Sequence, residues 1–322
     1  MARRCGSGSV TSGTATRPAV LVSAGRIARF TKVMYKPHYL LYGILWVLAL
    51  EGTAALVSQA DSAWRPTGAT VARIAIVAVV LLYLRMVDEQ KDLEYDRVNN
   101  PDRPLVTGAV SAGELRTAMG IIAVGSIAGS LALSPWSAVM IAAVLVYGLI
   151  LWGLEQLSET VRTDILLNLV VTYPVQLLVT AYVAISAMDT GEVAGSWRIL
   201  VVAVVFAGAF LQFEFARKTS REQRPGELLY SNALGTKGSV AVSLLLAVVA
   251  VGAELAVAQP WTHDLPAAAI GWIPLALLLL PLAGAWRFRS SGDTDYPVIP
   301  AVVFILTLYL ALIAQALVLT GN

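Results

Sequence analysis

Residues 70–97 read Thr70-Val-Ala-Arg73-Ile-Ala-Ile-Val-Ala-Val-Val-Leu-Leu-Tyr83-Leu-Arg85-Met-Val-Asp88-Glu89-Gln-Lys91-Asp92-Leu-Glu94-Tyr-Asp96-Arg97. Positions 70–87 are dominated by aliphatic side chains, a length that suits a bilayer core about 30 Å thick, which takes roughly 20 helical residues. Lipid offers the backbone no hydrogen-bond partner, so the run has to be helical. It then turns acidic. Asp88, Glu89, Asp92, Glu94, Asp96 and Asp102 place 6 of the chain's 21 acids within fifteen positions. This is the point where a membrane helix leaves the lipid, and in lipid each charge needs a reason.

At about 100° per residue, Asp88, Asp92, Asp96 and Glu89 fall at about 0°, 40°, 80° and 100°, on one face and over roughly 12 Å. Like charges at i,i+4 repel. Lys91 and Arg97 offset part of that repulsion, and a divalent cation would offset more. Mg²⁺ suits oxygen ligands and takes one or two carboxylates together with substrate phosphates. The stripe therefore reads either as a metal–diphosphate site or as a solvated, salt-bridged helix end. Its place at the lipid boundary favours the former.

The rest of the chain agrees with a membrane reading. Of 322 residues, 57% are hydrophobic and 14% charged, where soluble domains carry about 25% charge. Mean hydropathy is +0.71. These values exclude a soluble globular domain, a disordered chain, a nucleic-acid binder and a disulfide-stapled fold. Cys5 is the one cysteine, so no internal disulfide forms. Nine apolar runs are long enough to span: 38–57, 70–87, 111–132, 135–154, 165–187, 198–216, 238–258, 267–286 and 297–319. Proline and glycine punctuate their connections, Pro66, Pro101, Pro104, Gly191, Pro225 and Pro260 among them. With a cytoplasmic N-terminus, 20 of the 23 Lys and Arg fall on the cytoplasmic side, leaving Arg65, Arg73 and Arg198 outside. The expectation is an all-α integral membrane protein with nine transmembrane helices. Residues 1–29 read as a disordered cytoplasmic tail without a signal-peptide core, and residues 30–322 as one transmembrane catalytic domain.

Two further stretches lie on the same predicted side. Asn99-Asn-Pro101-Asp102-Arg103-Pro104-Leu105 is a proline-bracketed turn that holds Arg103, whose planar fork of donors suits phosphate oxygens or Asp102. Ser111 and Glu114 then have capping-box spacing. After the sixth run comes Glu214-Phe-Ala-Arg217-Lys218-Thr-Ser-Arg221, with Glu214/Lys218 and Arg217/Arg221 both at i,i+4. This is either ordinary positive-inside charge or a basic wall facing the acidic helix.

At these residues the sequence resembles the UbiA-type intramembrane prenyltransferases. Asp88-Glu89-x-x-Asp92-x-x-x-Asp96 is similar to the family's Asn-Asp-x-x-Asp-x-x-x-Asp motif on the second helix, with Asp-Glu in place of Asn-Asp. The Asn99–Ser111 connection and Lys36-Pro37-His38 before the first span also match. The resemblance implies a helical barrel around a lipid-open central cavity, with the site on the cytoplasmic face. It implies that Asp88, Glu89, Asp92 and Asp96 are catalytic residues holding Mg²⁺, to bind an isoprenyl diphosphate and ionise it to an allylic cation. The second motif departs from the family, since one acid and three bases stand where several aspartates are usual. Glu214 alone carries over as a metal ligand there, while Arg217, Lys218 and Arg221, with Lys91, Arg97 and Arg103, are expected on the diphosphate.

Tyr147, Asn168, Tyr173 and Gln176 are the candidate pocket residues, with Gln212 near them. Tyr83, Trp152 and Phe213 are candidate cation–π partners or packing residues. Asn168 and Gln176 lie two turns apart on one helical face. Glu51 and Glu254 sit near the outer ends of their spans, where water is expected to reach them. Three functions stay open. One is prenyl transfer to a small aromatic or quinone-precursor-like acceptor. The second is a membrane terpene cyclase of the same superfamily, which needs no acceptor. The third is a transporter, disfavoured because no charge cluster is expected at the midplane of both halves.

Overall fold

The computed structural model describes residues 19–224 and 226–321. Residues 1–18, most of the expected tail, and Pro225 lie outside the described residues. Helix α1 (Ala19–Met34) replaces the last part of that tail, so residues 19–29 are helical where disorder was expected. It is an amphipathic helix. Phe30 inserts into the core, while Val20 and Leu21 stay exposed.

The apolar runs then form, in order, α2 (Pro37–Ser58), α3 (Gly68–Lys91), the short α4 (Leu93–Asn99), α5 (Ala112–Leu133) and α6 (Pro135–Leu157). They continue with α7 (Glu159–Thr163), α8 (Ile165–Thr172), α9 (Pro174–Asp189), α10 (Ile199–Arg217) and α11 (Tyr230–Ala258). The last are α12 (Ala267–Leu277), α13 (Leu279–Ser290) and α14 (Val298–Leu319). Among the described residues there are nine spans long and apolar enough to cross a membrane. Two of them are broken: α8 with α9 make one and α12 with α13 another.

The first break falls at Tyr173-Pro174, where proline supplies no backbone donor. Tyr147 of α6 donates to the Val171 carbonyl beside it, at 2.8 Å. α11 begins at Tyr230, eight residues before the run expected at 238, because Gly235 takes φ 69° and bends an extra turn onto its start. That positive φ is open to glycine at little cost.

Long aliphatic side chains such as Ile121, Val124, Leu200 and Ile299 face outward, as lipid requires. α2, α3, α10 and α14 bury Trp46, Val80, Phe206 and Tyr309 in the common core. α10 lies closest on α11 at Gly208, where a Cβ would stand 2.8 Å from the Leu246 carbonyl oxygen. Small residues let membrane helices approach in this way.

Both ends of the bundle are tied. At one end Arg221 N donates to Thr294 O (2.8 Å) and Tyr296 N to Thr219 O (3.0 Å), joining the α10–α11 and α13–α14 connections. At the other end Gly321 N donates to Ala60 O, 2.7 Å.

That second end also holds a buried ion network. Arg73 of α3 is fully buried and reaches Glu51 of α2 at 2.9 Å and Glu192 at 3.0 Å. Glu51 also accepts from Thr70 (2.7 Å) and from the Trp64 indole (3.1 Å). Glu254 is fully buried too, and neither of its carboxylate oxygens meets a hydrogen-bond donor among the described residues. The expectation that water reaches Glu51 and Glu254 is therefore wrong. Packed helices cover both acids, and Glu51 alone of the two has a counter-ion, Arg73.

Candidate active site

The acidic helix does not run straight through. It bends at Asp92 (φ −90°, ψ 9°), which ends α3 and caps α4. Four carboxylates on one stripe repel, and the structure divides them between two sets of cations.

Glu89 and Asp96 turn inward and are buried. Arg103 reaches Glu89 at 3.3 Å and Asp96 at 2.9 Å, while Arg85 reaches Glu89 at 3.3 Å. Asn100 donates to the other Asp96 oxygen at 2.8 Å. The turn between Pro101 and Pro104 thus delivers Arg103 onto the inner edge of the stripe. Ser111 and Glu114 form the expected capping box at the start of α5.

Asp88 and Asp92 form the outer edge and stay open, with side chains 49% and 38% exposed. Lys91 Nζ lies 3.2 Å from Asp92 Oδ1 and 4.0 Å from Asp88 Oδ1. It lies 3.0 Å from Glu155 of α6, a buried acid that sequence reasoning missed. The Asn168 amide donates to the same Glu155 at 3.0 Å and to the Val161 carbonyl at 3.2 Å. Asn168 therefore serves this ion network and not a pocket shared with Gln176. The Tyr173-Pro174 break separates them, and Gln176 turns to the Phe206 carbonyl of α10.

Tyr95 of α4 has its phenol pushed up, first by burial and then by the carboxylates of Glu227, Asp96 and Asp92. Glu227 belongs to the α10–α11 connection, so the two charged stretches lie within electrostatic reach of each other.

In the second stretch Glu214 is already neutralised. Arg217 grips it with two donors, at 2.5 and 2.7 Å, and Lys218 adds a contact of 3.0 Å. The Lys218 ammonium also sits 5.5 Å from the centre of the Tyr230 ring. Arg221 departs from expectation. It spends its donors on the carbonyls of Asp293, Ser291 and Phe288 and stacks 4.4 Å over the Phe288 ring. It ties two connections together and is not part of a diphosphate wall. Arg97 is exposed and lines an outer cavity of about 480 Å³ together with Lys91, Gln90, Glu94, Trp152 and Gln156.

Of the two roles open to Tyr83, Trp152 and Phe213, the structure shows packing. Tyr83 donates to the Leu145 carbonyl as packing, Trp152 lies under Arg116 in the outer cavity, and Phe213 packs in a small cluster with Phe288. Tyr42, Trp46, Phe206 and Tyr309 form one group of rings in the core. Phe206 stacks 5.0 Å from Tyr309, and the Tyr42 and Tyr309 hydroxyls are 3.4 Å apart. Tyr173 lies 6.2 Å from Phe210, with its hydroxyl buried and unpartnered. Nothing in the local sequence distinguishes these aromatics from ordinary packing residues.

The donor set decides what cation could fit. Glu89 and Asp96 are committed to Arg103, and Glu214 to Arg217 and Lys218. Among the described residues no group of three His, Cys, Asp or Glu gathers into a metal cage. Asp88 and Asp92 remain the exposed acids, with Lys91 as their shared cation, which fits one hard cation completed by phosphate oxygens rather than an all-protein site.

Two solved structures share this arrangement of helices. One is described by work on digeranylgeranylglyceryl phosphate synthase in membranes. It is 14% identical, with a TM-score of 0.59 over 91% of this chain and 99% of that one. The other is the apo structure of a UbiA homologue from Aeropyrum pernix K1. It is 20% identical, with a TM-score of 0.57 over 84% of this chain and 96% of that one. The fold is UbiA-type. No family model matches the sequence, and no curated protein does either. At these identities the likeness extends to the fold, and function has to be argued from the site of this UbiA-type bundle.

Proposed function

We propose that the protein is a Mg²⁺-dependent membrane enzyme that ionises an allylic isoprenyl diphosphate and transfers the prenyl group to a small aromatic or quinone-precursor-like acceptor. Its site would face the cytoplasm. The observation that carries this reading is the solvent-exposed Asp88–Asp92 pair at a helix end, beside Lys91.

Arg103, Arg217 and Lys218 each retain donors beyond those used on Glu89, Asp96 and Glu214, and these would take diphosphate oxygens. Mg²⁺ held by Asp88 and Asp92 would neutralise charge on the leaving diphosphate. The C1–O bond of the substrate breaks and its electron pair leaves with the diphosphate. An electron pair of the acceptor then bonds C1, and the acceptor loses a proton. Fixed cations stabilise the charge that develops, and an apolar interior excludes water that would quench the carbocation.

A second reading rests on that interior. The rings of Tyr42, Trp46, Phe206 and Tyr309 could hold a migrating cation by cation–π contact, and a terpene cyclase would need no acceptor.

Purified protein incubated with Mg²⁺ and allylic diphosphates of increasing length separates the readings. Diphosphate release that depends on an added aromatic acceptor supports transfer. Release without acceptor, giving a hydrocarbon or cyclic alcohol, supports cyclisation. No release at any chain length overturns both. Asp92→Ala is expected to abolish turnover while the protein stays folded.

A further inference from the structure

Lys91 raises a difficulty for any metal at Asp88 and Asp92. Its ammonium already lies 3.2 Å from one of these carboxylates and 4.0 Å from the other. A lysine on the same helix turn is an internal competitor for the position a divalent cation needs, and its tether gives it a high effective concentration there. Left to itself it would be the permanent counter-ion of the pair.

The structure gives the ammonium a third carboxylate partner beside Asp92 and Asp88. Glu155, at the end of α6, contacts the same Nζ with both oxygens, at 3.1 and 3.0 Å. Glu155 is 4% exposed and Asn168 9% exposed, so this side of the ammonium is dry while the aspartate side is wet. An ion pair is stronger where water is excluded. Asn168 fixes the carboxylate in place, and its own amide is anchored by the Val161 carbonyl.

We propose that Glu155, held by Asn168, is a positioning residue that draws Lys91 away from Asp88 and Asp92 and so keeps that pair open to a divalent cation. The inference rests on the metal–diphosphate reading above and adds residues from α6 and α8 to it. Charge points the same way. Three carboxylates face one ammonium here, so the cluster carries a surplus of negative charge for an incoming cation, and losing Glu155 would halve that surplus.

The test is calorimetric titration of Mg²⁺ into the purified full-length protein in the presence of inorganic diphosphate, with no turnover involved. Partners behind metal ligands typically contribute about 10–100-fold to metal affinity, and Glu155→Gln is expected to weaken Mg²⁺ binding by about that range. The double variant Lys91→Met with Glu155→Gln removes the competitor and is expected to recover most of the loss. Asn168→Ala changes no charge, yet it is expected to weaken binding in the same direction by loosening Glu155. This third variant separates positioning from a change in net charge, and it keeps the test alive if Glu155→Gln does not fold.

Unchanged affinity in both Glu155→Gln and Asn168→Ala would overturn the inference, as would a double variant as weak as Glu155→Gln. If the unaltered protein binds no Mg²⁺ with diphosphate, the metal–diphosphate reading itself fails. That outcome is distinct from a positioning failure, in which the unaltered protein binds and the variants match it.

Discussion

Arg73→Met tests the energetics of the end opposite the site. The Arg73 guanidinium is fully buried and makes contacts with Glu51 at 3.0 and 2.9 Å, Glu192 at 3.0 Å, Ser186 at 3.2 Å and Thr190 at 2.7 Å. Methionine keeps much of the length of the side chain and removes every donor. Glu51, also fully buried, is then left with two neutral donors, Thr70 and the Trp64 indole, for a whole negative charge. Breaking a buried ion pair from one side costs about 3–5 kcal/mol, whereas replacing both partners by apolar groups of similar volume is often neutral. The expected loss for Arg73→Met is thus about 3–5 kcal/mol. Adding Glu51→Leu should return most of it, even though Glu192 keeps only its threonine partners. Equilibrium unfolding in mixed micelles, followed against the mole fraction of denaturing detergent, measures both variants. A loss below about 1 kcal/mol for the single variant would place the network among weak surface pairs and refute the reasoning. A double variant no more stable than the single would show that Glu51 is not the group stranded by the loss of Arg73.

Helix contact and buried charge elsewhere in the bundle give two further predictions. Gly208→Ala drives a Cβ to 2.8 Å from the Leu246 carbonyl oxygen and 3.0 Å from Ala250 N, so α10 and α11 must separate, and the unfolding titration should show a loss of about 1–3 kcal/mol. Burial pushes the Glu192 carboxyl up, but hydrogen bonds from Thr190, Thr67 and Arg73 and the Arg73 charge outweigh it, so the carboxyl titrates below its ordinary range. A depressed folded value means this stabilisation is present above the ordinary glutamate pKa and is lost as pH falls through the lowered one. Glu192→Gln should therefore flatten the acid limb of stability against pH, and an unchanged acid limb would remove Glu192 from the network.

Much of the fold was legible because lipid makes length and polarity speak directly. Each of the nine spans was readable from its apolar run, and the bend within the fifth had a visible signal in Pro174. Two of the misplacements share one cause, which is spacing arithmetic carried past the end of a helix. Arg217 and Arg221 look like neighbours at i,i+4, but α10 stops at Arg217, so Arg221 swings to the α13–α14 connection. Asn168 and Gln176 look like one face until the break at Tyr173-Pro174 parts them.

Long-range charge pairing was harder, though not equally so in each case. Glu51 lies seven residues before the end of α2, and Arg73 five residues after the start of α3, so adjacent antiparallel helices bring them to a similar depth. The one arginine stranded within an outer half-span was therefore itself a pointer to its acid. Glu155 offered no such clue. Its partner Lys91 is 64 positions away on a helix whose own acids already seemed to account for that lysine. An apparent surplus of local partners can hide a distant one, and here the distant one is the more buried. In a chain this poor in charge, the acid that looks unneeded at a helix end is the one whose partner has to be sought across the bundle.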